Sequence, residues 1–86
     1  MKYDVVWLPD VEQELAQIWL NAPNRDLVSQ AAFRIDLSIE VDPNYVGESR
    51  PNGRRIYFMP PLGIIYRVLE STQRVEVIHV WRFRMH

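Results

Sequence analysis

The hydrophobic residues of this 86-residue chain change their spacing near residue 53. Between residues 11 and 39 they recur every three or four residues, which is typical of amphipathic helices, whereas after residue 53 they alternate, which is typical of strands. A helical half followed by a stranded half predicts an α+β domain. Because a chain of this length has room for one hydrophobic core, residues 1–86 are predicted to form a single domain.

The first half predicts one strand and a helical hairpin. Residues 2–8 are rich in β-branched and aromatic types and are predicted to form a strand buried on both sides. Pro9 suits the first turn of a helix, and Ala22-Pro23-Asn24 separates two apolar stripes, the second ending before Asp42-Pro43. The stripes are Val11, Leu15, Ile18, Trp19 and Ala22, then Val28, Ala32, Ile35 and Ile39.

The second half predicts a loop and three strands. Residues 44–53 contain Gly, Pro and Asn without an apolar period, so they are predicted to form an exposed, mobile loop. Alternation over residues 54–59, 62–69 and 74–83 predicts a three-stranded antiparallel meander, with both helices packed on one face of an antiparallel sheet. The predicted core consists of Leu15, Ile18, Trp19, Val28, Ala32, Ile35, Ile56, Ile64, Val68, Val77 and Val80.

Charge is distributed unevenly along the chain. Residues 1–48 hold three basic and nine acidic groups, a net charge of −6, while residues 49–86 hold seven Arg and two Glu, a net charge of +5. This asymmetry indicates an anionic partner for the second half, either a nucleic acid or an acidic protein segment, unless the Arg side chains merely solvate strand faces.

Composition also bears on the compartment. The chain has no Cys, which fits a reducing cytoplasm, and its apolar runs fall far short of the ~20 residues that a membrane span needs. We therefore expect a soluble, cytoplasmic protein without membrane association.

The order of elements and several short patterns resemble the RelE/ParE toxin superfamily of bacterial type II toxin–antitoxin systems. The patterns cover nearly the whole chain, although each is a loose motif. They are LPDVEQEL at residues 8–15, IW at 18–19, IEVDP at 39–43, GRRI at 53–56, IYRV at 65–68 and VEVIHVWR at 75–82.

The resemblance implies a toxin that a cognate antitoxin holds inactive. RelE-like members cut mRNA on the ribosome, whereas ParE-like members inhibit DNA gyrase without cutting nucleic acid. Three functions therefore stay open: a ribosome-dependent mRNA endoribonuclease, a non-catalytic gyrase inhibitor, and a degenerate toxin that only binds its antitoxin. With three Gly there is no glycine-rich phosphate loop, and two His without Cys make no metal site, so neither cofactor nor metal is expected.

RNA cleavage by a 2′-hydroxyl needs a proton acceptor, a proton donor and cations that stabilise the phosphorane. Arg is always protonated and supplies only the cations. The candidate catalytic residues are Arg55, Arg82, His86 and Glu48. The candidate RNA-binding or antitoxin-binding residues are Arg54, Arg67 and Arg84.

Four of these candidates are suggested by their positions in the resembled ribonucleases, and each has a structural alternative. Arg54 and Arg55 follow a glycine-bearing loop where those enzymes carry RNA-contacting basic residues, or they form an exposed solvating pair. Glu48 lies near the position of a carboxylate base, or it is an ordinary loop carboxylate. His86 is terminal, like a catalytic residue of some RelE-like enzymes, or belongs to a frayed end.

Residues of the last predicted strand are interpreted from their parity. Arg82 and Arg84 are two positions apart and share a face, so both could contact one phosphate or one antitoxin carboxylate. His79 shares parity with Val75 and Val77, which favours a hydrogen-bonded core histidine over a proton carrier.

One position departs from the ribonuclease pattern. The resembled ribonucleases usually carry Arg just before the apolar pair that precedes a tyrosine, and this chain has Gly63 before Ile64-Ile65-Tyr66. Losing a cation of this kind typically costs ~10² to 10³ in rate. Arg67, four positions further along the same strand, is the nearest cation that could compensate for this loss. Gly63 therefore favours gyrase inhibition or antitoxin binding alone, whereas the Arg residues and the terminal histidine favour RNA cleavage.

Overall fold

The computed structural model describes residues 2–84, which form two helices and five strands. Single 3₁₀ turns at Pro51–Gly53 and Glu70–Thr72 follow the second and fourth strands. In chain order the elements are β1 (Asp4–Trp7), α1 (Pro9–Asn21), α2 (Arg25–Val41), β2 (Glu48–Arg50), β3 (Arg54–Met59), β4 (Leu62–Leu69) and β5 (Arg74–Arg82).

Both helices begin and end close to the positions that the sequence predicts. Pro9 opens α1, where its missing N–H has no helical partner to lose. Asn24 caps α2, since its side-chain oxygen accepts a hydrogen bond from the Leu27 amide at 3.3 Å. Neither described helix is long and apolar enough to cross a membrane.

The sheet differs from the prediction in two respects. Its strand order is β1-β5-β4-β3-β2, and β1 is parallel to β5, so the sheet is mixed and not antiparallel throughout. The predicted three-stranded meander also gains β2, an antiparallel edge strand inside the supposed loop. All three residues of β2 are exposed, so no apolar alternation could reveal it. Strand β1 is likewise an edge strand and is half-buried, whereas the sequence predicts burial on both sides.

The core lies between the two helices and one face of the sheet. Its buried side chains include Ile35, Ile39, Leu62 and Tyr66, all with no exposed surface. The other buried apolar residues are Val11, Ile18, Val28, Ala31, Ile64, Val75, Val77 and Val80, while Leu15, Ala32 and Val68 pack at the periphery.

Two predicted core residues lie elsewhere. Trp19 is 38% exposed on the outer side of the helical pair, where its indole donates a hydrogen bond to Ser29 Oγ at 3.0 Å. Ile56 pairs with Ile65 on the side of the sheet that faces away from the helices. That side is called the open face below.

A β-bulge in β5 changes which side chains reach the open face. Ile65 pairs with His79, but the next residue of β4, Tyr66, pairs with Val77, so Ile78 is an extra residue. Beyond the bulge, each residue of β5 points to the face of the sheet opposite to the one that simple alternation from Val75 and Val77 predicts. His79 is consequently exposed on the open face, and its interpretation as a core histidine is wrong.

Candidate functional site on the open face of the sheet

Strand pairing arranges the open face as three rows of side chains that run across the sheet. Directly paired residues of neighbouring strands lie about 5 Å apart, so the members of a row are adjacent. The arginine row is Arg50, Arg54, Arg67 and Glu76. The middle row is Glu48, Ile56, Ile65 and His79. The aromatic row is Phe58, Gly63 and Trp81.

Glu76 ends the arginine row as a buried carboxylate. It is 7% exposed, and two guanidinium groups bind it: Arg67 at 2.6 Å and Arg74 at 3.1 Å. Arg67 also donates from Nε to Glu76 Oε1 at 2.8 Å, so two nitrogens of its guanidinium bind the same carboxylate oxygen. Loss of either cation would leave the buried charge of Glu76 partly uncompensated and would strongly destabilise the fold. The ion pair with Glu76 therefore holds Arg67 in place on the open face.

Arg54 is the cation of this row that remains available. It is half-buried and forms no salt bridge with any carboxylate within residues 2–84. Its neighbour Arg50 is bound to Glu48 at 3.1 Å on the exposed edge strand. Because Arg54 stands directly between Arg50 and Arg67, it lies in a positive potential that an anionic group would relieve.

The aromatic row explains the glycine at position 63. The Trp81 indole lies over the Gly63 backbone, and a Cβ placed on this residue would approach ring atom Cε2 to 2.5 Å. Phe58 packs edge-on against Trp81, with ring centroids 6.0 Å apart, and against Phe83 at 5.6 Å. The place where the resembled ribonucleases carry Arg is therefore filled by an aromatic cluster formed by Phe58, Trp81 and Phe83.

Arg55 does not lie on the open face. Strand alternation turns it toward the helices, where Nε donates to Val46 O and Nη2 to Gly47 O, both at 3.1 Å. Tyr66 Oη lies 2.6 Å from Pro43 O and 2.9 Å from Val46 O in the same segment. Burial raises the pKa of the Tyr66 hydroxyl, and the nearby Arg55 charge opposes that shift. Arg55 and Tyr66 together fasten the segment between α2 and β2 to the sheet.

Arg82 and Arg84 come together as predicted, but at a different place. Both line a cavity of about 720 Å³ between the end of β5, the α1–α2 turn and the β3–β4 hairpin. Arg82 pairs with Leu62 whereas Arg55 pairs with Tyr66, four residues along β4. That offset is roughly 13 Å along the strand, with two strand spacings across the sheet in addition. The predicted cations do not form one cluster around a single phosphate.

The predicted proton carriers are also separated. Glu48 lies at the outer end of the middle row, three strands from His79 at the other end. His86 lies outside the described residues. Residues 2–84 contain no group of three or more His, Asp or Glu side chains that could hold a metal ion.

Sequence reasoning missed His79, Arg50 and the aromatic cluster as features of this face. The bulge that exposes His79 and the short strand that carries Arg50 leave no periodic signal. The aromatic cluster did leave a signal in the sequence, namely Gly63 in the middle of a predicted strand, because such a glycine often lies beneath an aromatic ring of the neighbouring strand.

Comparison with known proteins identifies the architecture. No protein-family model and no curated protein matches the chain. Among solved structures, a chain of the RelBE2 toxin–antitoxin complex from Mycobacterium tuberculosis matches with a TM-score of 0.77 and 14% identity, covering 95% of this chain and 92% of that chain. A chain of the chromosomal ParDE system from P. aeruginosa gives 0.73 and 14%, covering 95% and 97%. The isolated RelE toxin of E. coli gives 0.69 and 14%, covering 98% and 87%. The chain therefore has the fold of the RelE/ParE toxin superfamily.

Proposed function

We propose that this chain is the toxin of a type II toxin–antitoxin pair, and that it inhibits a protein target by binding through the open face without cleaving RNA. The toxin assignment is supported by the shared fold with chains of RelBE and ParDE systems. The non-catalytic activity is supported above all by one observation, the Trp81 ring that occupies the space above Gly63.

The distribution of the cations supports the same conclusion. A phosphoryl transition state needs several donors that converge on one set of oxygens. Here Arg55 is engaged with two backbone carbonyls on the helix side, and Arg82 lies in a separate cavity at the far end of the sheet. Arg67 is on the open face, but two nitrogens of its guanidinium already bind Glu76 Oε1. Arg54 alone is insufficient for the stabilisation that cleavage requires.

The open face suits a protein partner because apolar and charged groups occupy separate zones. Phe58 is 51% exposed, and Ile56 and Ile65 are half-buried in the middle row. About 13 Å along β3 from Phe58 lies Arg54, which forms no salt bridge within residues 2–84. A cognate antitoxin segment with an apolar residue at one end and a carboxylate at the other would match both zones. The protein target is proposed to be DNA gyrase, following the ParE-like resemblance.

Ribosome-dependent mRNA cleavage is a second candidate, and His79 favours it. The imidazole is exposed on the open face, one row from Arg67, and His is the side chain most often used for general acid–base catalysis. In that mechanism His79 would replace the terminal histidine as the proton carrier, and Arg54 and Arg67 would contact the scissile phosphate.

Expression in a bacterial host tests the proposal. The chain is induced alone or together with the product of the neighbouring reading frame, and pulse labelling follows DNA and protein synthesis separately. We expect DNA synthesis to fall before protein synthesis, and the neighbouring product to restore growth. Protein synthesis that stops first would contradict the non-catalytic proposal.

A charge-reversal pair tests the surface. Arg54→Glu should weaken the complex with the neighbouring product at least tenfold, because it places a carboxylate opposite the proposed acidic segment. The matched control is Arg34→Glu on α2, which changes the net charge equally but lies on the opposite side of the molecule. Equal weakening by both variants would show a non-specific charge effect and refute the proposed surface.

A further inference from the structure

The turn that joins β2 to β3 is exposed at its tip. It consists of Pro51–Gly53, and all three of these residues are exposed. Arg50 and Arg54, on either side of the turn, are directly paired across the two strands. A Cβ placed on Gly53 would meet no atom within 4 Å, so open space surrounds the tip. Strand β2 has only three residues, all exposed, and few buried contacts hold it closed. We therefore expect this hairpin to open locally more easily than the core strands.

Asn52, in the middle of this turn, has an unfavourable backbone conformation. Its φ and ψ of 65° and 32° lie in the left-handed region, and Gly53 follows with a φ of 71°. This region is disfavoured for residues that carry a Cβ, although Asn tolerates it better than most. The pairing of β2 with β3 holds Asn52 in this conformation, so opening of the edge strand releases its backbone.

Asn52 differs from the three other asparagines of the chain in its surroundings. The Asn21 amide donates to a carbonyl of its own helix at 2.9 Å, and the Asn44 amide donates to a carboxylate at 2.6 Å. Asn24 is the cap of α2. Within residues 2–84, the Asn52 side chain forms no hydrogen bond. Asn52 is also the one asparagine that precedes a glycine, and glycine has no side chain to hinder the approach of its nitrogen.

We propose that Asn52 is a site of spontaneous deamidation. In the opened turn, the backbone nitrogen of Gly53 attacks Cγ of Asn52 and loses its proton to solvent. A bond between this nitrogen and Cγ forms, the side-chain amide takes up a proton and leaves as ammonia, and a five-membered succinimide results.

Water then opens the succinimide at either of its two carbonyl groups. Attack at Cγ breaks the new bond to the Gly53 nitrogen and gives Asp in an ordinary backbone. Attack at the backbone carbonyl carbon gives isoaspartate, whose backbone runs through Cβ and Cγ. The net reaction consumes one water and releases one ammonia, and no oxidant or reductant takes part.

Either product places a carboxylate between two arginines. Residue 52 is two positions from Arg50 and two from Arg54. Arg50 already binds Glu48, whereas Arg54 forms no salt bridge within the described part of the chain. The new carboxylate would therefore compete for the cation that the open face offers to an anionic partner. The modification uses only the turn, but its effect on binding rests on the proposed function.

Ageing of the purified full chain tests the modification. The chain is kept at mildly alkaline pH and physiological temperature, and proteolytic fragments are followed by mass spectrometry, with isoaspartate detected by an isoaspartyl methyltransferase. We expect Asn52 to convert faster than each of the three other asparagines by about tenfold or more, because its turn opens most readily. Asn52→Gln should abolish the isoaspartate signal, since the longer side chain must close a larger ring. Conversion of Asn52 at the rate of the other asparagines would overturn the proposal.

Two matched variants test the effect on binding. Asn52→Asp reproduces one product and should weaken the complex with the neighbouring product by about two- to fivefold, as expected for an exposed ion pair. Asn21→Asp adds the same charge at the end of α1 and should leave the affinity unchanged. Calorimetric titration measures both, and circular dichroism verifies that the variants are folded.

The outcomes separate this inference from the proposed function. Unchanged affinity of Asn52→Asp, where Arg54→Glu weakens the complex, would refute the effect of deamidation on binding. Unchanged affinity of both variants would refute the proposed surface, whereas conversion at Asn52 is decided by the ageing experiment alone.

Discussion

Gly63→Ala should destabilise the protein although it adds one methyl group. The new Cβ would lie 2.5, 2.6 and 2.8 Å from Cε2, Cζ2 and Nε1 of Trp81, so the ring must move. Its movement disturbs the edge-on contact with Phe58, which is worth about 0.5 to 1.5 kcal/mol, and overpacking of this kind costs about 1 to 3 kcal/mol in total. We expect a loss within that range in urea denaturation followed by circular dichroism.

A double-mutant cycle isolates the contact between the two residues. In a Trp81→Ala background the methyl group meets no ring, so Gly63→Ala should cost nothing and can even stabilise the strand by about 0.5 to 1 kcal/mol. The coupling energy should therefore exceed about 1 kcal/mol. A loss below about 0.5 kcal/mol in the wild-type background, or an equal loss in both backgrounds, would refute the explanation of Gly63.

Three further predictions follow from burial and hydrogen bonding. Arg55→Ala should cost about 1.5 to 3 kcal/mol of unfolding free energy because it removes two hydrogen bonds from a charged group. The adjacent Arg54→Ala should change stability by less than about 0.5 kcal/mol. Equal effects of the two variants in urea denaturation would contradict the role of Arg55 in fastening the segment between α2 and β2. Ile35→Ala should cost about 2 to 5 kcal/mol and Leu15→Ala clearly less, because only Ile35 is fully buried; thermal denaturation giving the reverse order would place the core elsewhere. Burial raises the pKa of the Asp36 carboxyl above its ordinary value of 3.8, so the stability that its protonated form contributes is lost as pH rises through the raised pKa. Asp36→Asn should therefore gain stability relative to the wild type between about pH 4 and 7. An unchanged difference in stability across that range would contradict the shift.

Most of the elements could be predicted because they follow strong local signals. The apolar stripes, the Pro9 start and the Asn24 cap fixed both helices, and alternation located β3 and β4 at their observed bounds. Strand β2 could not be predicted, since its three exposed residues have no apolar period. The parallel pairing of β1 with β5 depends on contacts between residues about 70 positions apart, which periodicity does not report.

The candidate site was harder to predict because it depends on side-chain direction. Adjacent residues of a strand point to opposite faces, so Arg54 and Arg55 are separated by the sheet even though both were expected to serve one site. The bulge at Ile78 reversed the expected direction of His79. The role of Gly63 became apparent only when the cross-strand position of Trp81 was known.

The central claim is that this fold is used here for binding and not for RNA cleavage. The most direct test adds the purified chain to ribosomes programmed with a defined message, maps the message ends by primer extension, and measures gyrase supercoiling at the same protein concentrations. If the chain acts by binding, the message stays intact and supercoiling is inhibited. New message ends that appear with the wild-type chain and disappear with His79→Ala, while supercoiling is unaffected, would contradict it.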